Sequence, residues 1–521
     1  MLRAYEPGID RGGTVGSPNG HVVETWAHSF PVERYGRSRR SPRVIKGNQL
    51  TGWRIWAGPQ SPSLVPSLLS QVSGGGVRRW EVCAHERLAG MAHSSPAAWR
   101  SAGLEGRRAR PETGGWRRVA GGRRGLVGSG LPPLIAFIFG WALVAWRTAG
   151  TVAAALRAAT WVRRDSNQYL KIAAHGYQAT THCAHAPAAP GQVVHLCGNI
   201  SWLPAYPALL RLVSLSGLSL PAAGIVVAWI CWYLTLVMVW VLTAQAPTPN
   251  RWACLLLAAV FPGQVYFAAV FPISMCTLLM LLSVRAATVS HRLLPCAGAA
   301  FVAGATYPLA LALAPGLLLA AVFARASRHV LRVCVAGAVA VLAGFGAVLG
   351  YAQLTVGKWN AYFITEREEY GVQTHVPWRV FVDHIAPLWT GLATPLPGAP
   401  PPTKPHVHGP VDFAGITTAR QSLLLAIVVA LATVITIRAG VHRRPRRLDP
   451  IDAALLLTAV TAWIIPYIGG GSVSIYRSEA CVLVIVPLLR RLRWWQTGIA
   501  VACAAWVAID LAPLFASNTL V

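Results

Sequence analysis

From Leu131 to the C-terminus the chain is a succession of apolar runs joined by short polar segments. This feature limits the possible folds more than any other. A bilayer core takes about 20 apolar residues per helix. Candidate spans lie at about 131–149, 203–219, 221–244, 252–270, 272–289, 294–323, 330–354, 421–437, 452–469, 479–489 and 496–514. Of these, 203–219 and 479–489 are short or interrupted. Composition agrees. Of 521 residues, 54% are hydrophobic and only 12% are charged, whereas a soluble domain carries about 25% charged residues. So few charges cannot cover a soluble surface. The expected fold is an all-α polytopic membrane bundle of about 9–11 transmembrane helices, and the expected partner is the lipid bilayer.

The net charge of +28 would suit a nucleic-acid binder, but its distribution does not. Residues 1–130 hold 20 Lys and Arg against 8 Asp and Glu. Most of the remaining excess sits in short segments between apolar runs, which is the pattern of the positive-inside rule. No nucleic-acid partner is expected.

Those charges orient the spans. Arg325, Arg328 and Arg332 form one basic segment, Arg438 to Arg447 a second with five arginines and no acid, and Arg490-Arg-Leu-Arg493 a third. All three are expected to be cytoplasmic, as is the basic stretch before Leu131. Eleven spans satisfy every charged segment; nine also fit if two of the middle five are re-entrant. Either count places two long loops, 150–202 and 355–420, on one non-cytoplasmic face. Long ordered loops usually carry function.

Residues 1–125 differ from the rest. They are rich in Arg, Gly, Ser, Pro and Trp, show no sustained periodicity, and lack a signal-peptide layout. Stretches such as Arg37-Ser-Arg-Arg-Ser-Pro-Arg43 cannot bury a core. Two readings compete: a disordered basic cytoplasmic tail attracted to anionic headgroups, or upstream sequence translated from a start codon assigned too early. The expected division is therefore 1–125 as a peripheral segment and 126–521 as the membrane domain.

The first long loop opens with Trp161-Val-Arg-Arg-Asp165-Ser-Asn-Gln-Tyr169-Leu-Lys-Ile-Ala-Ala-His175-Gly-Tyr177. Asp165, Tyr169 and Ile172 recur at helical spacing, and the helix is expected to close at the His-Gly-Tyr turn. An aspartate beside two arginines at a bilayer edge is costly unless paired or used. The bland alternative is an ion pair or helix cap.

The stretch Arg164-Asp-Ser-x-x-Tyr-Leu-x-Ile-Ala-x-His-Gly-Tyr177 resembles the signature of the GPI mannosyltransferase II family and its bacterial relatives. In that family an Arg-Trp-Asp-Ser/Ala motif precedes Tyr/Phe-Leu-x-Ile-Ala and Gly-Tyr. Trp202-Leu-Pro-Ala-Tyr-Pro207 with Leu210-Arg211-Leu212 is similar to the family's Phe-Phe-Pro-Leu-Tyr-Pro and the helix after it. Phe261-Pro262 through Phe271-Pro-Ile-Ser274, Ala305-Thr-Tyr-Pro308, Gly357-Lys-Trp-Asn-Ala-Tyr-Phe363, and Tyr476-Arg477 before Pro487 resemble later motifs in the same order. The sequence departs from the pattern at Arg164, where the family has Trp, at Ile273, where it has Glu, and at Tyr307, where it has Arg.

The resemblance implies a class C glycosyltransferase fold with its active site on the non-cytoplasmic face of the cell membrane. The donor would be a polyprenyl-phosphate sugar, most often mannose, and the acceptor an envelope glycan or glycolipid. The reaction would invert the anomeric centre, with no cofactor or metal. Asp165 would be the general base, since a carboxylate must reach the hydroxyl it deprotonates. The departing phosphate needs fixed cations, for which Arg163, Arg164, Lys171 and Arg477 are candidates. Tyr169, His175, Tyr177, Tyr206 and Glu366 are candidates for further substrate contacts. Headgroup snorkelling is the plain alternative for Lys171 and Arg477, turn closure for His175 and Tyr177, and a solvated helix face for Glu366. A transporter or flippase of lipid-linked sugars is the rival function, although no internal repeat is visible. A non-catalytic member of the same fold is the third reading.

His182-Cys183-x-His185 and His195-x-Cys197 have zinc-like spacing. An oxidising compartment favours instead a Cys183–Cys197 disulfide, worth roughly 3 kcal/mol for a loop of about 15 residues.

Overall fold

The computed structural model describes residues 123–180, 196–324, 327–368, 370, 372–391, 413–441, 448–470 and 475–519, with backbone alone at 123–129, Arg164 and Thr180. The basic N-terminal segment, Cys183, the three loop histidines around it, Arg325, Glu369 and the Arg443–Arg447 run lie outside the described residues.

The described residues are helical almost throughout. Helix α1 (Arg123–Ala149) contains a crossing stretch, Gly130–Ala149. Two single turns lead to α2 (Arg164–His175), and a two-residue antiparallel ribbon then pairs Ala179–Thr180 with Cys197–Gly198. Next come α3 (Ala205–Ser214), α4 (Leu220–Leu242), α5 (Thr248–Ala259) and α6 (Ile273–Thr288), then α7 (Leu293–Gly304) and α8 (Leu313–Phe323). Helix α9 (Arg328–Val356) leads into the second loop, which carries α10 (Ala361–Glu368) and α11 (Pro377–Ile385). Helices α12 (Phe413–Val441), α13 (Pro450–Ile468), α14 (Ile475–Glu479) and α15 (Trp494–Ala516) complete the chain.

Gly130–Ala149, α4, α9, α12, α13 and α15 are long and apolar enough to cross a bilayer. Their exposed surfaces are apolar: Ile138 and Trp146 on α1, Ile437 on α12, and Ile499 and Trp506 on α15 are all more than half exposed. A helix that is apolar on its outer as well as its inner face belongs in hydrocarbon rather than water. The protein is an all-α polytopic membrane protein.

Three expected spans take a different form. Of 252–270, the regular helix ends at Ala259 and only a single turn, Val265–Ala268, follows. Residues 203–219 do not cross. Helix α3 has ten residues, about 15 Å at 1.5 Å per residue, and it lies against α2, with Arg211 Nη1 donating to the Ala173 carbonyl at 3.5 Å. Residues 294–323 are two passes instead of one. Gly337 of α9 lies against both Cys296, near the start of α7, and Leu317, halfway along α8. Leu311, just before α8, packs with Phe345 and Val348 further along α9. Helix α7 therefore runs parallel to α9 and α8 runs antiparallel to it, with the hairpin tip at Ala305–Pro308. Pro308, which cannot continue a helix interior, marks the break. The corrections cancel: one pass is lost and one is gained, so the two long loops still emerge at the same end.

Small residues hold the hairpin close. A Cβ at Gly304 would lie 2.1 Å from the Val341 carbonyl, and one at Gly344 would lie 2.0 Å from the Phe301 carbonyl. These two reciprocal approaches let the α7 and α9 backbones touch, as small residues do between membrane helices. The short span at 479–489 crosses by another device. Residues Ala480–Arg491 form a 3₁₀ helix, whose rise of about 2.0 Å per residue stretches it to about 24 Å.

The two loops meet. Leu196 and Ile200 of the first pack with Ala352 at the end of α9 and Ala361 at the start of the second, and Trp202 stacks edge-on against Tyr370 at 5.5 Å. At the opposite end of α13, Asp452 is completely buried and receives Arg490 Nη2 at 2.7 Å and Arg491 Nη2. Asn250, near the start of α5, donates to the Arg490 and Leu492 carbonyls at 3.2 and 2.6 Å. These bonds tie the ends of three passes together. Asp452→Ala would strand two guanidinium groups, and losing one partner of a buried ion pair costs roughly 3–5 kcal/mol. Thermal unfolding in detergent should show a correspondingly large loss for Asp452→Ala and little change for Arg438→Ala, whose side chain is exposed.

Candidate functional site

Arg163 precedes α2. Its backbone N–H donates to Ser166 Oγ at 3.1 Å, and the Ser166 N–H donates back to the Arg163 carbonyl at 2.6 Å. This reciprocal closure fixes where the helix begins and puts Asp165 in its first turn, where a carboxylate is favoured by the helix dipole. The helix ends where the His-Gly-Tyr turn was expected. Gly176 has φ +78 and its N–H donates to the Ile172 carbonyl at 2.8 Å.

Asp165 Oδ2 accepts from Nη1 of Arg477, 312 residues away. The pair joins the first long loop to α14. It is partly open, with side-chain exposures of 27% for Asp165 and 14% for Arg477. The Arg477 guanidinium also stands 5.5 Å from the centre of the Phe271 ring. Burial opposes its charge, but Asp165, then Tyr307 and Tyr169, outweigh it and hold its pKa above the ordinary value. Burial first, then Tyr307, raises the pKa of Tyr169, so that phenol is a neutral donor at physiological pH.

Aromatic rings wall the pair. Tyr169 stands edge-on to Tyr206 at 5.5 Å and to Phe271 at 6.4 Å. Tyr266 meets Phe271 at 5.4 Å and Tyr476 at 6.0 Å. Tyr307, at the tip of the α7–α8 hairpin, shares a 3.1 Å hydrogen bond with Ser478. A hairpin tip, a loop helix and a short helix between two crossings thus converge on one cation.

The expected site residues separate into two groups. Asp165, Arg477 and Tyr169 come together, and Tyr206 backs Tyr169. The others stand apart. Arg163 Nη1 donates to the Ala159 and Val162 carbonyls at 2.8 and 2.9 Å, and its guanidinium lies 5.6 Å from the Phe515 ring. It fastens α2 to α15, and burial lowers its pKa. Lys171 and His175 are exposed, four residues apart on one helix face; at 100° per residue Lys171 is turned about a third of a turn from Asp165 and His175 about a fifth. Tyr177 donates to the Trp202 carbonyl at 2.6 Å and leans on Tyr351, which is a turn-closing role. Glu366 influences Tyr362, and its carbonyl accepts from Val372 at 2.9 Å. The Arg164 backbone occupies the first turn of α2.

Cys197 is disulfide-bonded; Cys183, the partner expected for it, lies outside the described residues. Among the described residues, no group of three or more His, Cys, Asp or Glu is placed to hold a metal ion.

Sequence reasoning did not place Tyr266, Tyr307, Phe271 or Ser478 in the site. It also passed over Glu479, although an ionisable residue heading an apolar run is a recognisable signal. Glu479 is completely buried.

No protein-family model and no curated protein matches the chain. Its class therefore rests on the fold and this site: a polytopic helical membrane protein with an aspartate–arginine pair enclosed by phenols.

The pair should be separable from its exposed neighbours by experiment. Arg477→Ala leaves a partly buried carboxylate without its cation and should cost on the order of 2 kcal/mol. Lys171→Ala and His175→Ala should leave thermal unfolding in detergent unchanged.

Proposed function

We propose that the chain is a membrane glycosyltransferase, an inverting mannosyltransferase that takes its sugar from a polyprenyl-phosphate donor and passes it to a glycan or glycolipid acceptor on the non-cytoplasmic face. The observation that carries this reading is the Asp165–Arg477 pair, which joins the first long loop to α14 among Tyr169, Phe271 and Tyr307. The motif resemblance around Asp165, in the order described above, supplies the reaction class.

The chemistry suits the arrangement. The donor phosphodiester shares one negative charge between two non-bridging oxygens, a fork that a guanidinium grips as it grips a carboxylate, and the departing monoester gains further charge that a guanidinium holds more strongly. As the donor enters, Arg477 turns to the phosphate and Asp165 is released. The freed carboxylate accepts the proton of the acceptor hydroxyl, and that oxygen attacks the anomeric carbon from the face opposite the phosphate. The new glycosidic C–O bond forms as the bond from C1 to the phosphate oxygen breaks. Polyprenyl phosphate leaves with the bonding electrons, its charge held by Arg477. Neutral Tyr169 and Tyr307 can donate hydrogen bonds to sugar hydroxyls beside the pair. Tyr307 stands where the family pattern has an arginine, so Arg477 is the cation on which the phosphate depends.

Helices interrupted near a polar centre are also a transporter device, so the hairpin tip at Tyr307 gives the flippase reading a structural basis. One experiment separates the two. The protein is reconstituted in vesicles with polyprenyl-phosphate mannose and an acceptor lipid extract. Wild type should transfer mannose. Asp165→Ala should lose transfer by about 10²- to 10⁴-fold, the usual contribution of a general base, while inserting normally. Arg477→Lys should raise the donor KM. Full transfer by Asp165→Ala would sink the base assignment. Movement of the donor across the vesicle without transfer would favour the flippase.

A further inference from the structure

Glu479 has no part in the chemistry above, yet it is the most completely buried carboxylate near the pair. Its two oxygens are fully occupied by neutral donors. Tyr467 Oη donates to Oε1 at 2.6 Å, and Gln421 Nε2 and Ser422 Oγ donate to Oε2 at 3.0 Å each. Among the described residues, no basic side chain pairs with it. Gln421 Nε2 also donates to the Tyr476 carbonyl at 2.5 Å, so one amide grips both the side chain and the backbone of α14. Helix α12 supplies Gln421 and Ser422, and α13 supplies Tyr467.

Residues two apart on a helix face nearly opposite sides. With Glu479 drawn into α12 and α13, Arg477 must point the other way, towards Asp165. A five-residue helix has little rigidity of its own, and immediately after Glu479 the chain changes to a 3₁₀ helix. The orientation of Arg477 therefore has to be imposed from outside α14. Tyr467 adds a second connection, because Phe381 of α11 in the second loop packs on its ring at 5.5 Å.

We propose that Glu479 is a positioning residue: its hydrogen bonds to Tyr467, Gln421 and Ser422 lock α14 in the rotation that presents Arg477 to Asp165 and to an incoming phosphate. The phosphate part rests on the transferase reading; the rotational part does not. Glu479 touches no substrate and acts only through Arg477.

The test is a double-mutant cycle on the full chain in detergent or nanodiscs. Farnesyl phosphate serves as a short polyprenyl monophosphate probe, alongside mannose transfer. Glu479→Gln should weaken farnesyl phosphate binding about tenfold, the scale of one misplaced charge-assisted contact, and raise the donor KM more than it lowers kcat. In an Arg477→Ala background the same change should add less than about twofold, because residues acting through one another are not additive. Tyr467→Phe and Ser422→Ala each remove one donor. They should move the same parameters in the same direction, and they replace Glu479→Gln if that variant does not insert. Unchanged binding in all three variants, or a loss fully additive with Arg477→Ala, overturns the proposal. If wild type neither binds the probe nor transfers sugar, the transferase reading fails instead. Thermal stability then decides the positioning claim: the losses of Glu479→Gln and Asp165→Ala should be less than additive, and full additivity overturns it.

Discussion

Hydrocarbon offers no hydrogen bonds, so every charged or polar group inside this bundle has to find its partner within the protein. Among the described residues, three carboxylates show how the structure answers that constraint. Asp452 and two arginines close one end. Asp165 and Arg477 join the first long loop to α14. Glu479 lies near the second pair, satisfied by three neutral donors. Each site joins segments far apart in sequence, and the apolar packing between them can be unspecific because these polar contacts are not. The glycine contacts between α7 and α9 add the close approach that a bundle of bulky side chains would lack.

Much of this was legible in the sequence, and the reasons for the exceptions are physical. Hydropathy finds apolar runs but not their direction. It therefore counted 294–323 as one crossing, although Thr306-Tyr-Pro308 interrupts it with a residue that cannot continue a helix. It counted 203–219 as a crossing because Leu203, Leu209, Leu210, Leu212 and Leu215 are apolar, although Leu212 and Leu215 are more than half exposed on a helix too short to cross. The charged segments constrained only the parity of the crossings. Parity survived both errors, so both long loops still emerge at one end.

The site was half legible. The motif singled out Asp165, and Arg477 was among the candidate cations, but local sequence cannot pair residues 312 positions apart. Lys171 stood closer in sequence and is also cationic, yet helical geometry turns it outward. The phenols were harder still. Tyr169 belonged to the motif, whereas Tyr266 and Tyr307 lie within apolar runs, where an aromatic residue reads as core. Only the break at Pro308 brings Tyr307 to Ser478.

The two ion pairs differ in a way that bears on function. Asp452 has no exposed surface and two guanidiniums on its two oxygens, so neither partner can leave without stranding a charge in a dry interior. That geometry suits a permanent clamp. Asp165 keeps about a quarter of its side chain exposed and, among the described residues, is met by one arginine. An entering anion can take that arginine, and solvent or an acceptor hydroxyl can reach the carboxylate it leaves. In the proposed transferase, an exchangeable pair must also return to its starting geometry after each turnover. A long flexible arginine on a five-residue helix would not do so unaided. In the positioning role proposed for it, Glu479, fixed by donors from α12 and α13, is the reference that holds α14 while Arg477 changes partner.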